Sequence, residues 1–471
     1  MLLALPAIAR AQDSPTVATA SALQRRGDLA AAAEMLRAIL AREPANGDAA
    51  RMLAQTLYWM KDVRGATTVY EQALTRHPGD TRLRLDYARM LVETRSNTRA
   101  GQILRALRDT PATASEAATL LGTMQYWSGD LSNAASNFST ALAAEPGNAE
   151  ARKNLAEIRS ISAPWVELGT HVLSDDQPLD RIQGDIEAGW FPDPLLALSV
   201  RATPMRFRMG DTASATVALA EFGLSHSAPA ARLRTRLAAG VVYRTESDKS
   251  TDWTARGSLE LSLPNQVALG VRGARAPYLH TLSSLRTPVM SETGAAYVAV
   301  ENFRGWLAES AAQVERFPGD NSVTTLYAWV LAPLVRANEA EAKAGYAFTS
   351  QDSRETRFGF ASGIYDPYYT PERFVAHSAV ASLAVKPSPR TTVTVRGSYA
   401  FKAREYAPQI GAISLANSFV RREINPWDAH LSISSRLSSA MTLSANLDRT
   451  RTPFYTATTA GVRLSWKILP D

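Results

Sequence analysis

The sequence predicts an α + β multidomain protein: an N-terminal α-helical solenoid followed by a transmembrane antiparallel β-barrel of about 16 strands. Two patterns carry this. Pro44, Pro78, Pro111 and Pro146 recur at intervals of 34, 33 and 35 residues, a period that marks stacked helical hairpins. After residue 164 the period disappears, and segments of roughly ten residues alternate strictly between apolar and polar.

Bulk properties agree with two folded parts. A chain of 471 residues exceeds one compact core, and 45% hydrophobic with 20% charged residues is ordinary for folded protein. There is no run of 18 apolar residues, so no transmembrane helix is expected. Cysteine is absent, which excludes disulfides and thiolate metal sites. The net charge of +6 is not gathered into a block, so no nucleic-acid partner is expected. No cofactor is indicated. Residues 1–11 read as the remnant of a signal peptide: Met1 to Ile8 is apolar, and Ala9-Arg10-Ala11 fits a small-x-small cleavage site before Gln12.

Residues 13–160 form the helical part. The second repeat carries Leu53, Ala54, Leu57, Ala66, Tyr70, Ala73 and Pro78, and the fourth carries Leu121, Gly122, Gly129, Ala134, Phe138, Ala141 and Pro146. Small residues stand where two helices cross closely, and a large one fills the gap beside them. Each proline ends a second helix because it cannot continue the hydrogen-bond ladder. In these features the region resembles a tetratricopeptide array of four repeats, with Asn148 to Ser160 as a capping helix. Such an array presents a groove to protein partners; the plainer alternative is a rigid spacer. His77 is its single histidine and reads as part of a turn.

Residues 164–471 form the strand-rich part. From Trp253 to Leu263 the odd positions Trp253, Ala255, Gly257, Leu259, Leu261 and Leu263 face one way, with Thr254, Arg256, Ser258, Glu260 and Ser262 opposite. Val393 to Phe401, Leu431 to Leu437, Met441 to Leu447 and Val462 to Ile468 behave alike. A soluble sandwich also alternates. Strand length, hairpin succession over some 300 residues and mid-strand charges on the polar face favour a membrane barrel with a wet lumen. Trp190, Phe191, Tyr243, Trp253, Tyr278, Trp306 and Trp466 are placed for interfacial girdles.

Two sets of residues are candidates for a transport pathway. Arg232, Arg234 and Arg236 alternate on one segment, and Arg206 and Arg208 on another; with Arg256, Glu260 and Arg396 they are expected to line the lumen. A basic ladder would favour an anionic or hydroxyl-rich substrate. The alternative is that the arginines pair with Glu187, Glu221 and Glu260 and brace the wall. The second set lies in two segments, Arg275–Ser284 and Gly363–Phe374, the latter holding Tyr365, Tyr368 and Tyr369. Tyrosine rings can stack on the C–H faces of sugars while their hydroxyls bond sugar hydroxyls; a structural loop is the alternative.

With an array followed by a barrel, the chain resembles outer-membrane exopolysaccharide exporters, the outer-membrane cellulose-exporter family of the cellulose synthase complex and the poly-N-acetylglucosamine porin family. Tyr368-Tyr369-Thr370-Pro371-Glu372-Arg373-Phe374 is similar to a Tyr-Tyr-Ser-Pro-Gln segment in the cellulose exporter's barrel, and Arg275-x-Pro277 with Thr281-x-x-Ser284 resembles an Arg-Pro…Ser-x-Leu-Ser stretch there. Four repeats are far fewer than that exporter's long array. The resemblance implies a Gram-negative outer-membrane location with periplasmic repeats, outer-membrane lipid around the barrel, a polysaccharide polymer as cargo, and periplasmic or inner-membrane synthase components as partners. The expected activity is passage, not catalysis. Two alternatives stay open: a plugged barrel that anchors the solenoid, and an enzyme housed in a barrel. The latter needs a convergent Ser/His/acid set, which the scattered His77, His171, His226, His280, His377 and His430 do not predict.

Overall fold

The computed structural model describes residues 16–211, 213–245, 250–359, 364–408, 419–453 and 455–469, and the signal-peptide segment lies outside them. The chain divides into two compact units near residue 158.

The first unit is a row of helices paired as hairpins: α1 (Val17–Arg25) with α2 (Leu29–Arg42), α3 (Gly47–Trp59) with α4 (Val63–Arg76), α5 (Thr81–Glu93) with α6 (Asn97–Arg108), and α7 (Ala114–Trp127) with α8 (Leu131–Ala144). Helix α9 (Ala149–Ile161) follows as the cap. The turn inside each hairpin repeats too. Gly27, Lys61, Arg95 and Gly129 all adopt left-handed backbone, with φ of 85°, 68°, 60° and 81°. Each is followed by the next helix's N-cap: Asp28, Asp62, Ser96 or Asp130. A left-handed residue after one helix and a polar cap before the next reverse the chain within two residues.

The crossing rule read from the sequence is visible in the fourth repeat. A Cβ added to Gly122 would stand 2.7 Å from the Phe138 ring, so glycine is what admits the phenylalanine. His77 caps α4, and its Nε2 lies 2.8 Å from the carbonyl of Ala45. It ties one repeat end to the preceding one.

The second unit is a closed antiparallel barrel of sixteen strands. Its strands are β1 (Trp165–Asp175), β2 (Leu179–Asp193), β3 (Leu196–Met209), β4 (Ala213–Ala228), β5 (Leu233–Arg244), β6 (Thr251–Leu263), β7 (Val267–Pro277), β8 (Met290–Phe303) and β9 (Trp306–Arg316). They continue as β10 (Ser322–Arg336) and β11 (Ala340–Ser353). A two-stranded hairpin, β12 (Phe358–Gly359) with β13 (Ile364–Tyr365), stands apart from the wall. The wall resumes with β14 (Phe374–Ser388), β15 (Thr391–Pro408), β16 (Phe419–Ile424), β17 (Trp427–Arg436), β18 (Met441–Arg451) and β19 (Thr456–Lys467). Strands β16 and β17 both pair with β15 and act as one strand interrupted at Asn425-Pro426, which gives sixteen staves. The barrel closes where Trp165 to Asp175 pairs with Ala457 to Lys467. Closure leaves no free sheet edge.

The side chains alternate across this wall. Leu168, Ile186, Val200, Phe222, Leu237, Leu259, Leu326, Val395 and Val462 stand exposed on the outside. Among the described residues no helix is long and apolar enough to cross a membrane; the outer band of the barrel is the apolar surface suited to lipid. Trp190, Tyr243, Trp253, Trp306 and Trp466 are exposed on that side as expected of a girdle. Phe191 and Tyr278 are not. Phe191 shares the inner face with Trp165, their ring centroids 5.4 Å apart, and Tyr278 packs in a loop against Phe317 and Tyr368.

The two barrel ends differ. At one end β2–β3, β6–β7 and β8–β9 are joined by tight turns, with left-handed backbone at Asn265 and Gln266 and at Arg304 and Gly305. At the other, residues 278–289 and 354–373 form long connections that hold α10 (Leu282–Arg286) and the β12–β13 hairpin.

Candidate functional site: the barrel lumen and its mouth

The lumen wall from β2 to β10 carries a ladder of ion pairs. Glu187 on β2 takes Arg201 of β3, with Nε 2.9 Å from Oε2. Glu221 on β4 takes Arg256 of β6 at 3.2 Å. Glu260 on β6 accepts from Arg234 of β5 at 3.0 Å and from the Tyr297 hydroxyl of β8 at 2.8 Å. Glu309 on β9 takes Arg272 of β7 at 3.3 Å and the hydroxyl of Tyr327 on β10. Each pair joins neighbouring or next-neighbouring staves. Pairs that face water contribute only about 0–1 kcal/mol each. Their larger effect is on the field: Arg201, Arg234, Arg256 and Arg272 are neutralised where they stand. Arg236 of β5 shares this face and has no ion pair among the described residues.

Three arginines of the expected ladder are elsewhere. Arg206 and Arg208 lie on the outer face of β3 with Val200, because Met205, Phe207 and Met209 take the inner positions. Arg208 pairs there with Asp180 at 2.7 Å. Arg232 is not in a strand; it is the left-handed residue (φ 55°) that closes the β4–β5 turn. Arg396 keeps its lumenal parity on β15, in register with Ser382 and His430.

The opposite wall is polar as well. His171 of β1 faces Asp185 of β2 at 3.3 Å, and Asp448 of β18 takes His430 of β17 and Asn446. Sequence reasoning missed these pairs, and also Arg201, Arg272 and Tyr327. Their positional parity would have found them once the register was known.

The two loop segments singled out in the sequence meet at the long-loop end. Leu285 of α10, with Leu279 and Leu282, packs on Leu179, Met205, Phe207, Met209, Val217 and Val242 from the inner face of β2–β5. The connection therefore folds inward. From the other side, Tyr368 stacks on Phe317 with centroids 3.8 Å apart, and Tyr278 meets both edge-on. Hydrogen bonds join the segments: the Thr281 hydroxyl donates to the Pro367 carbonyl, and the Ser283 hydroxyl to the Asp366 carboxylate. The Tyr369 amide donates to the Tyr278 hydroxyl at 3.3 Å.

This corrects the expected role of the tyrosines. Tyr365 and Tyr368 are 8% and 2% exposed, so their faces are already covered by protein. The Tyr369 hydroxyl donates to Glu405 at 2.9 Å, and Glu405, fully buried on β15, also takes Arg422. Burial, joined by the charge of Glu405, holds the Tyr369 hydroxyl well above its ordinary pKa, and burial raises those of Tyr278 and Tyr365. All three remain neutral hydrogen-bonding groups through the physiological range.

Comparison with known proteins follows the two units. Residues 23–69 and 60–123 match the tetratricopeptide repeat family model. No protein of curated function matches the sequence. Among solved structures, one described as "Bacterial polysaccharide outer membrane secretin" superposes with a TM-score of 0.51 at 8% identity, covering 65% of this chain and 99% of that one. At that identity the likeness is one of fold. A structure described as Pseudomonas aeruginosa pilF has a TM-score of 0.28 at 21% identity, covering 30% of this chain and 64% of that one. The tetratricopeptide protein YrrB has 0.26 at 20%, covering 30% and 73%.

Proposed function

We propose that this protein is a Gram-negative outer-membrane channel through which an exopolysaccharide, a cellulose-like or related polymer, leaves the cell. The observation that carries the reading is the closed sixteen-strand wall with an apolar outside and a polar, ion-paired lumen. The likeness of fold to a polysaccharide outer-membrane secretin supports it. Short turns mark the periplasmic end of such barrels and long loops the outside. The reading therefore puts the loop-covered mouth at the cell surface and the repeats in the periplasm, where their groove docks synthesis or modification partners. The lumen guides and hydrates the polymer, and the driving force comes from its synthesis elsewhere. No catalytic step is part of this reading.

Loops bridged across the mouth favour one second reading, a closed barrel that only anchors the solenoid. Deleting the gene while sparing its neighbours separates the two. Polymer trapped or degraded in the periplasm is the expected result; unchanged secreted polymer would reject export.

A further inference from the structure

Trp165 is the first residue of β1, and its indole lies against the inner wall. The wall is shaped for it. A Cβ added to Gly189 on the paired strand would stand 2.1 Å from Cζ2 and Cη2 of the indole, so glycine lets the ring approach the backbone closely. Phe191 flanks it at 54°. Trp165 lines a cavity of about 500 Å³ together with Glu187, Arg201, Arg236, Arg256 and Arg272, within the range of about 300–1,000 Å³ typical of small-molecule sites.

We infer that this cavity is a binding subsite for uncharged pyranose units of the transported polymer, with Trp165 as the stacking platform. The inference rests on the export reading and adds a substrate class to it. An indole face complements the C–H face of a sugar ring. The rim supplies carboxylate oxygens and guanidinium N–H groups that are not exhausted by their mutual bonds. A hydroxyl, donor and acceptor at once, can use both. A carboxylate-bearing sugar finds a different field. Three of the four arginines here are already paired, Arg201 with Glu187, Arg256 with Glu221 and Arg272 with Glu309, and Arg236 is left. A polyuronate would find only Arg236 without a carboxylate and at every other rung would have to displace a resident glutamate, so the ladder that looked basic in sequence favours a neutral polymer.

The test uses the full chain in detergent and isothermal titration with three probes: a neutral β-linked gluco-hexaose, a hexauronate of the same length, and free glucose. The hexaose is expected to bind at least tenfold more tightly than the other two. Trp165→Ala should weaken it tenfold or more, while Trp165→Phe stays within threefold of the parent. Gly189→Ala keeps the tryptophan but displaces its ring, and should weaken binding too; mobility of the unheated barrel on a gel checks that each variant is folded. Hexaose binding by Trp165→Ala and Gly189→Ala as tight as the parent's overturns the subsite and leaves the export reading standing. Preference for the hexauronate, or for glucose, overturns the substrate class. No binding of any probe overturns the subsite, and the export reading falls with it only if secreted polymer is also unchanged by the gene deletion.

Discussion

The backbone amide of Tyr369 donates to the hydroxyl of Tyr278 at 3.3 Å, joining two loops whose contact residues lie 91 positions apart in the chain. Around this bond the two segments are joined by two further hydrogen bonds and by the apolar packing of Tyr278 and Val289 with Tyr368, while α10 is anchored to the inner wall by its leucines. These contacts close the junction between the segments, and a mouth that opens between them has to part this bond.

Tyr278→Phe tests the bond with little loss of packing, since the ring keeps its edge contacts with Phe317 and Tyr368. A net hydrogen bond contributes about 0.5–1.5 kcal/mol, so the open population should rise roughly two- to tenfold. Single-channel recording in a planar bilayer reads this as more frequent openings. An unchanged open fraction would mean the bond does not hold the mouth.

A covalent latch should have the opposite effect. Ser283 and Asp366 are hydrogen-bonded across the same junction, so Ser283→Cys combined with Asp366→Cys places two thiols in a chain that otherwise has no cysteine. Oxidation is expected to silence conductance and trap polymer in the periplasm, and a reductant to restore both. Continued export by the fully oxidised variant would show that the polymer takes a path that does not part these loops.

The junction was not legible in the sequence, and the reason is physical. Helical period and strand alternation are local, so the repeats, the sixteen staves and the lumenal parity of Arg234, Arg256, Glu260 and Arg396 could be read directly. Met205-Arg-Phe-Arg-Met209 has the same alternation but the reverse orientation. At the mouth the wall packs on α10, so the apolar residues turn inward and Arg206 and Arg208 turn out. Alternation gives two faces; it does not say which one is inside. That depends on contact between distant segments, as does burial of Tyr365, Tyr368 and Tyr369. The dense tyrosines were a real signal, of loop packing rather than of sugar stacking.

The solenoid turns make a separate prediction. Lys61 and Arg95 occupy left-handed positions that the equivalent Gly27 and Gly129 fill without strain. A side chain there costs about 1–2 kcal/mol, offset in part by the greater freedom glycine gives the unfolded chain. Arg95→Gly should therefore stabilise the helical unit by up to about 1 kcal/mol, raising its melting point by about 2–4 °C. The helical circular-dichroism signal at 222 nm follows this unit within the full chain. A lower melting point would show that Arg95 makes contacts that outweigh its backbone strain.

Alkaline pH should unfold the solenoid before helix propensity alone would require it. Tyr70 and Tyr87 stack with centroids 5.1 Å apart, 3% and 1% exposed. Burial raises both pKa values, that of Tyr87 to about 12 against the ordinary 10.0, with Arg99 opposing and the hydrogen bond to Glu71 assisting. The folded state therefore holds tyrosine neutral where the unfolded chain ionises it. Stability from this source is fully present below pH 10 and is lost as pH rises from 10 towards 12, because only the unfolded state releases the proton in that window. The thermal midpoint at 222 nm should be flat from pH 8 to 9.5 and fall between 10 and 11.5. Tyr87→Phe removes one of the two ionisations, so its midpoint should fall less steeply, though from a lower start because the Glu71 bond is gone. Parallel curves for parent and variant would place the alkaline transition at some other group.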